Sequence, residues 1–127
     1  MTKVTDGDTI HVLSQGQDVR VRLIGVDTPE VGWYRGKAEC FGAKAGLYTR
    51  RRLDGRRVRL AFDADRFDRY GRTLAYVYVG AELFNLTLVR NGYARADPVP
   101  PDIRMAAVFA TAETRARAAA LGLWAAC

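Results

Sequence analysis

The chain has a single histidine, His11, and only two cysteines, Cys40 and Cys127. A zinc centre of cysteine and histidine ligands therefore lacks its donors, and the cysteines are not spaced as a redox motif. His11 falls inside a strand-like run, which assigns it to packing or a hydrogen bond rather than to proton transfer. There is no glycine-rich loop of nucleotide-binding type and no serine–histidine pair in a recognisable context, so those enzyme classes drop out. Apolar stretches stop well short of the ~20 residues that a membrane-spanning helix needs, and no membrane partner is expected. No signal peptide is visible, and with Asp6 already inside the first motif, a removed leader or missing strand residues are expected upstream.

Positive charge is what the chain has in quantity. Its 20 lysines and arginines exceed 14 acidic residues for a net charge of +6, which attracts polyanions over long range and weakens with salt. With 127 residues, 49% of them hydrophobic, the chain can fill one core, and a single domain over 1–127 is expected. Cys40 and Cys127 are either a disulfide tying the tail to the middle of the chain or two separate thiols in a reducing compartment. Composition leaves both open.

Strand-like alternation runs through Val19, Val21 and Leu23, through Val58, Leu60 and Phe62, and through Leu74, Tyr76 and Tyr78. Shorter strands over 2–5 and 9–13 flank the Asp6-Gly7-Asp8-Thr9 turn and bring the total to five. A helix is predicted over 41–53, with Phe41, Ala45, Tyr48, Thr49 and Leu53 near one face and a stop at Asp54-Gly55. A second, over 83–91, stops at Asn91-Gly92. After a proline-rich link, a third helix capped by Asp102 carries Met105, Phe109, Ala112, Ala116 and Ala119 at helical spacing. This order suits an α+β chain built as a small five-stranded OB-type barrel with three helices; an open α+β sandwich is the rival.

Three charged motifs carry the chemistry: Asp6-Gly7-Asp8-Thr9, the run from Arg22 to Glu30, and Asp68-Arg69-Tyr70-Gly71-Arg72. Asp8 follows a glycine suited to a tight turn, and Asp27 comes where the third strand leaves its alternation at Gly25, so both carboxylates can project from one rim. They are hard oxygen ligands for Ca²⁺ or Mg²⁺, and the Thr28 carbonyl, held extended by Pro29, is a third. Glu30 is close enough to activate or orient a water. Arg22 and Arg72 can each give two parallel hydrogen bonds to phosphate oxygens while staying charged. Arg69 and Tyr70 supply a cation and a phenol for substrate positioning, and the Trp33-Tyr34-Arg35-Gly36-Lys37 cluster is a candidate strand-contacting loop. Taken singly, each of these residues also has a plain reading as a turn former or a solvated charge.

Together, these motifs, with Leu88-Val-Arg-Asn-Gly92 and Gly122-Leu-Trp124 following in order, resemble the staphylococcal nuclease family, the thermonucleases. The resemblance implies an OB-fold barrel with three helices and a Ca²⁺-dependent phosphodiesterase that cleaves DNA and RNA, single strands preferred, to 3′-phosphates. A monomer is expected, and the resemblance implies that Asp8, Asp27 and Thr28 hold calcium, Glu30 is the proposed general base, Arg22 and Arg72 are the catalytic arginines, and Tyr70 touches the nucleotide phosphate, with Arg69 keeping the charge where the staphylococcal enzyme has lysine. A non-catalytic nucleic-acid-binding module is the alternative, disfavoured because Arg22, Glu30 and Arg72 are all present. The family's nucleotide-stacking tyrosines fall near Pro98 and Pro100, leaving Tyr93 as a partial substitute. Glu-Cys-Phe-Gly before the first helix and Gly-Leu-Trp…Cys at the end are similar to exported bacterial relatives, which implies a Cys40–Cys127 disulfide and an exported, extracellular protein.

Overall fold

The computed structural model describes residues 1, 3–32 and 39–127; the Trp33–Lys37 cluster lies outside the described residues. In chain order the elements are β1 (Lys3–Asp6), β2 (Thr9–Ser14), β3 (Gln17–Leu23), β4 (Val26–Asp27), α1 (Gly42–Leu53), β5 (Arg59–Ala61), β6 (Thr73–Val79), β7 (Glu82–Leu83), α2 (Phe84–Arg90), β8 (Arg95–Ala96), α3 (Ala106–Ala118) and α4 (Leu123–Ala126). The chain is α+β, as its pattern predicts. β1, β2 and β3 form an antiparallel meander, β3 runs parallel to β6, and β6 pairs antiparallel with β5 and β7. β4 and β8 make a separate two-stranded sheet.

Four expectations are corrected. The main sheet, ordered β1-β2-β3-β6-β5, does not close: among the described residues β1 and β5 remain its edges. β1 is only four residues long and its register slips between Val4 and Asp6, so it has little ladder to offer a second partner. Among the described residues the strand total is also eight rather than five, because two-residue strands such as β4 and β8 are too short to show alternation. Another correction concerns α3, which begins at Ala106 without a side-chain cap. Asp102 is buried, and its Oδ1 accepts the Asp65 amide at 2.6 Å instead. Among the described residues there is also a fourth helix, the single-turn α4, where three are expected.

The core forms where the inward sheet positions Ile10, Val12, Val21, Leu23, Ala75 and Val77 meet Leu53, Phe84, Leu88 and Phe109 from the helices. Burying one such large side chain contributes about 1.5–3 kcal/mol. In β6 Thr73, Ala75, Val77 and Val79 share one buried face, while Tyr76, buried as well, packs against Phe109 of α3, ring centroids 6.3 Å apart.

Three fastenings carry this core to the rim where the charged motifs lie. Asn85, fully buried, accepts the Val77 amide and donates to the Ile24 carbonyl, both at 2.9 Å, bolting α2 to β6 and to the turn after β3. Gly25 in that turn has φ 77°, and a Cβ there would stand 2.7 Å from the Phe109 ring, so only glycine fits. Thr49 of α1 donates to the Gly7 carbonyl at 2.7 Å, fixing the first motif against the helix. Farther away, Gly92 and Gly122 pack backbone to backbone, with the Leu123 amide on the Gly92 carbonyl at 2.8 Å. That contact is the physical reason both late motifs carry glycine.

Candidate active site

Asp8 and Arg22 become neighbours through strand register. Thr9 stands opposite Arg22 across β2 and β3, and the Leu23 amide donates to the Asp8 carbonyl at 2.9 Å. Arg22 lies on the outer face of β3, between the inward Val21 and Leu23. Its Nη1 donates to the Leu23 and Val26 carbonyls, each at 2.7 Å, and its Nη2 is 3.4 Å from Asp8 Oδ2. The guanidinium thus closes the turn that presents Asp27.

The buried Asp8 carboxylate accepts the Thr28 amide at 2.9 Å through Oδ2 and the Thr9 hydroxyl at 3.1 Å through Oδ1. Asp27 is anchored by pairing with Arg95 across β4 and β8. Desolvation, followed by the charge of Asp8, raises its carboxyl above the ordinary value, with Arg22 opposing. A carboxylate whose proton affinity is raised by burial and by a neighbouring carboxylate is poised for a cation. The Thr28 hydroxyl beside them is buried without a hydrogen-bond partner among the described groups. These hard oxygens suit calcium, which takes 6–8 oxygen ligands. Among the described residues no cluster of three acidic, histidine or cysteine side chains forms, so two carboxylates and a carbonyl would leave the rest of the shell to water and phosphate.

The following loop is pinned residue by residue. The Glu30 amide donates to Glu39 Oε1 at 2.7 Å, and the Val31 amide to Asp6 Oδ1 at 2.8 Å. Asp6, the first carboxylate of its motif, is therefore a loop anchor.

The second arginine is organised by its own turn. Asp68 accepts the Tyr70 and Arg72 amides, both at 2.9 Å, on Oδ1 and the Arg72 Nε at 2.6 Å on Oδ2. Burial alone would raise the Asp68 carboxyl, but these hydrogen bonds and the Arg72 charge hold it below the usual carboxylate range. Arg72 and Arg22 line one cavity of about 230 Å³, which Asp68, Asp97, Pro100 and Pro101 also line. Tyr70, 61% exposed, sits at the tip of the turn with the Arg69 guanidinium on its hydroxyl at 2.9 Å, while Arg20 holds its carbonyl at 2.9 Å.

The predicted residues therefore fall in two adjoining groups, with Asp8, Arg22, Asp27 and Thr28 in one and Arg69, Tyr70 and Arg72 in the other, while Glu30 lies two residues beyond Thr28 in the loop held by Glu39. Arg22 belongs to both. Tyr93 does not join them: it stacks on Tyr48 at 4.0 Å and packs against Phe41 at 5.4 Å. His11 is elsewhere, its Nδ1 2.8 Å from Asp18. Sequence reasoning assigned no role to Asp68, although its i,i+4 spacing from Arg72 was a readable signal. Glu39 gave none, because its partner is nine residues away across a loop.

Residues 20–126 match the family model described as staphylococcal nuclease homologue. The chain is 43% identical to a thermonuclease of Staphylococcus intermedius over 96% of this chain and 73% of that protein. It is 39% identical to a thermonuclease of Staphylococcus hyicus, covering 96% and 72% respectively. Endonuclease YncB of Bacillus subtilis matches at 34% over 98% of this chain and 60% of its own length. The chain belongs to the staphylococcal nuclease family.

Proposed function

We propose that this chain is a calcium-dependent nuclease that hydrolyses phosphodiester bonds of DNA and RNA and leaves 3′-phosphates. The observation that carries the reading is the meeting of Arg22 and Arg72 on one cavity, with Arg22 only 3.4 Å from the carboxylate of Asp8. Its sheet is read as an OB-type barrel left open between β1 and β5.

Asp8, Asp27 and the Thr28 carbonyl would hold the calcium ion, which when bound supplies positive charge to the phosphate and favours ionisation of water. Glu30 orients the attacking water or takes its proton, in line with the leaving oxygen. Attack builds charge on the equatorial phosphate oxygens. Arg22 and Arg72 meet that charge with guanidiniums already locked by the Leu23 and Val26 carbonyls and by Asp68, so little reorganisation is required at the moment of reaction. Arg69 and Tyr70 position a neighbouring phosphate, and with Pro100 and Pro101 forming the cavity wall, base stacking contributes little there.

Hydrolysis of single-stranded DNA should proceed with Ca²⁺ and stop in chelator. Equal rates in the two conditions would overturn the metal role, and binding without hydrolysis would return the chain to a non-catalytic binding module. Cys40 and Cys127 stand as a disulfide pair, S–S 2.12 Å and Cα atoms 6.0 Å apart, which supports export to an oxidising compartment. Thiol titration of the denatured, unreduced protein should accordingly find almost no free thiol; two thiols per chain would remove that support.

A further inference from the structure

Glu39 has no role in the chemistry described above, yet it grips the backbone of Glu30 on both sides. Its Oε1 accepts the Glu30 amide at 2.7 Å, and its own amide donates to the Glu30 carbonyl at 2.9 Å. We propose that Glu39 is a positioning residue for Glu30, holding the backbone from which the Glu30 carboxylate reaches the water. This rests on the nuclease reading of the site.

The grip matters because of what anchors Glu39. Its carbonyl accepts the Gly42 amide at 2.8 Å, at the start of α1, where a Cβ on Gly42 would overlap the Glu30 carbonyl. The next residue, Cys40, is joined to Cys127, which directly follows α4. α4 is seated in turn by the fully buried Leu123 and the bond from its amide to the Gly92 carbonyl. Glu39 is thus rooted in two helices and a covalent link, whereas Glu30 lies in a loop with no strand of its own. A loop carboxylate that must meet one water needs such support, since a misplacement of about 1 Å costs up to ~10²-fold in rate. Asp6 does the corresponding work one residue on, at the Val31 amide.

Glu39 also adds negative charge near Asp27 and contributes to the rise of that carboxyl, so the test must separate charge from grip. Glu39→Gln removes the charge and keeps a carbonyl acceptor for the Glu30 amide; Glu39→Ala removes both. With single-stranded DNA and saturating Ca²⁺, Glu39→Ala should lower kcat about tenfold with KM nearly unchanged. Glu39→Gln should stay within about twofold of wild type. Hydrogen exchange at the Glu30 amide, read by NMR without substrate, should quicken in the alanine variant and not in the glutamine variant. Wild-type kcat in Glu39→Ala, or an equal loss in both variants, overturns the positioning role. Absence of Ca²⁺-dependent hydrolysis in the wild-type protein, with the exchange pattern as expected, overturns the nuclease reading instead.

Discussion

Asp68 and Asp27 both serve the candidate site, and their affinities for a proton move in opposite directions. Asp68 has Arg72 and two backbone amides as partners, and its carboxyl is held down. Asp27 has partial desolvation and another carboxylate, Asp8, and its carboxyl is pushed up. The Asp68–Arg72 half of the site is therefore internally neutralised before any ligand arrives, while the Asp27 carboxyl, beside Asp8, is left short of positive charge. In the proposed reaction this division is useful. Locked arginines meet charge that develops only during attack, and crowded aspartates receive a cation that is bound beforehand.

The largest effect that could break this contrast is on turnover. Arg22→Ala or Arg72→Ala should each lower kcat by about 10²–10³, as expected for removing a preorganised donor aimed at developing charge. Lysine at either position should rescue little, because a point charge cannot reproduce a guanidinium that holds the Leu23 and Val26 carbonyls through Nη1 while Nη2 faces Asp8, or one held through Nε by Asp68. A variant within a few-fold of wild type would remove that arginine from the mechanism.

Smaller but sharper is the opposite sign expected for the two aspartates in thermal melts with chelator present. Asp68→Asn should melt lower at neutral pH, by about 1–3 kcal/mol for the lost charged hydrogen bonds. Because the folded-state carboxyl of Asp68 is depressed, its stabilisation is complete above the unfolded-state value and is lost as pH falls through the folded one, below the ordinary 3.8. Asp27→Asn should instead melt slightly higher at neutral pH. A raised carboxyl costs stability as pH climbs through its unfolded and then its folded value, and asparagine removes that cost. Added calcium should reverse the ranking by stabilising wild type and not Asp27→Asn. Melts that shift in the same direction for both variants would end the comparison.

Much of the site could be read from the sequence because its residues come in short motifs whose local geometry is self-contained. The 68–72 turn is one example, since Asp68 and Arg72 meet within a single hairpin tip. β3, β5 and β6 were likewise visible by their alternation, although in β6 Ala75 and Val77 are buried where Leu74 and Tyr78 are only half-buried, and α1 was visible by its apolar face. β4 and β8 were hidden because two residues make no pattern, yet their pairing is what anchors Asp27. Asp102 misled for a related reason: an aspartate before a helix reads as a cap, but burial turned it toward the Asp65 amide. Tyr93 remained plausible as a stacking surface until Tyr48 and Phe41 occupied its faces.

The sequence by itself determined the chemical inventory of this protein: which carboxylates, arginines and glycines it has, and in what order along the chain. Those follow from side-chain chemistry and local spacing, which no partner element alters. Only the tertiary structure decided which charges meet. Strand register put Asp8 beside Arg22, the rooted Glu39 fixed the Glu30 backbone, and one cavity joined two arginines separated by a helix and two strands. Coulomb energies and hydrogen bonds depend on ångström distances between residues far apart in sequence, and such distances exist only once the core has packed.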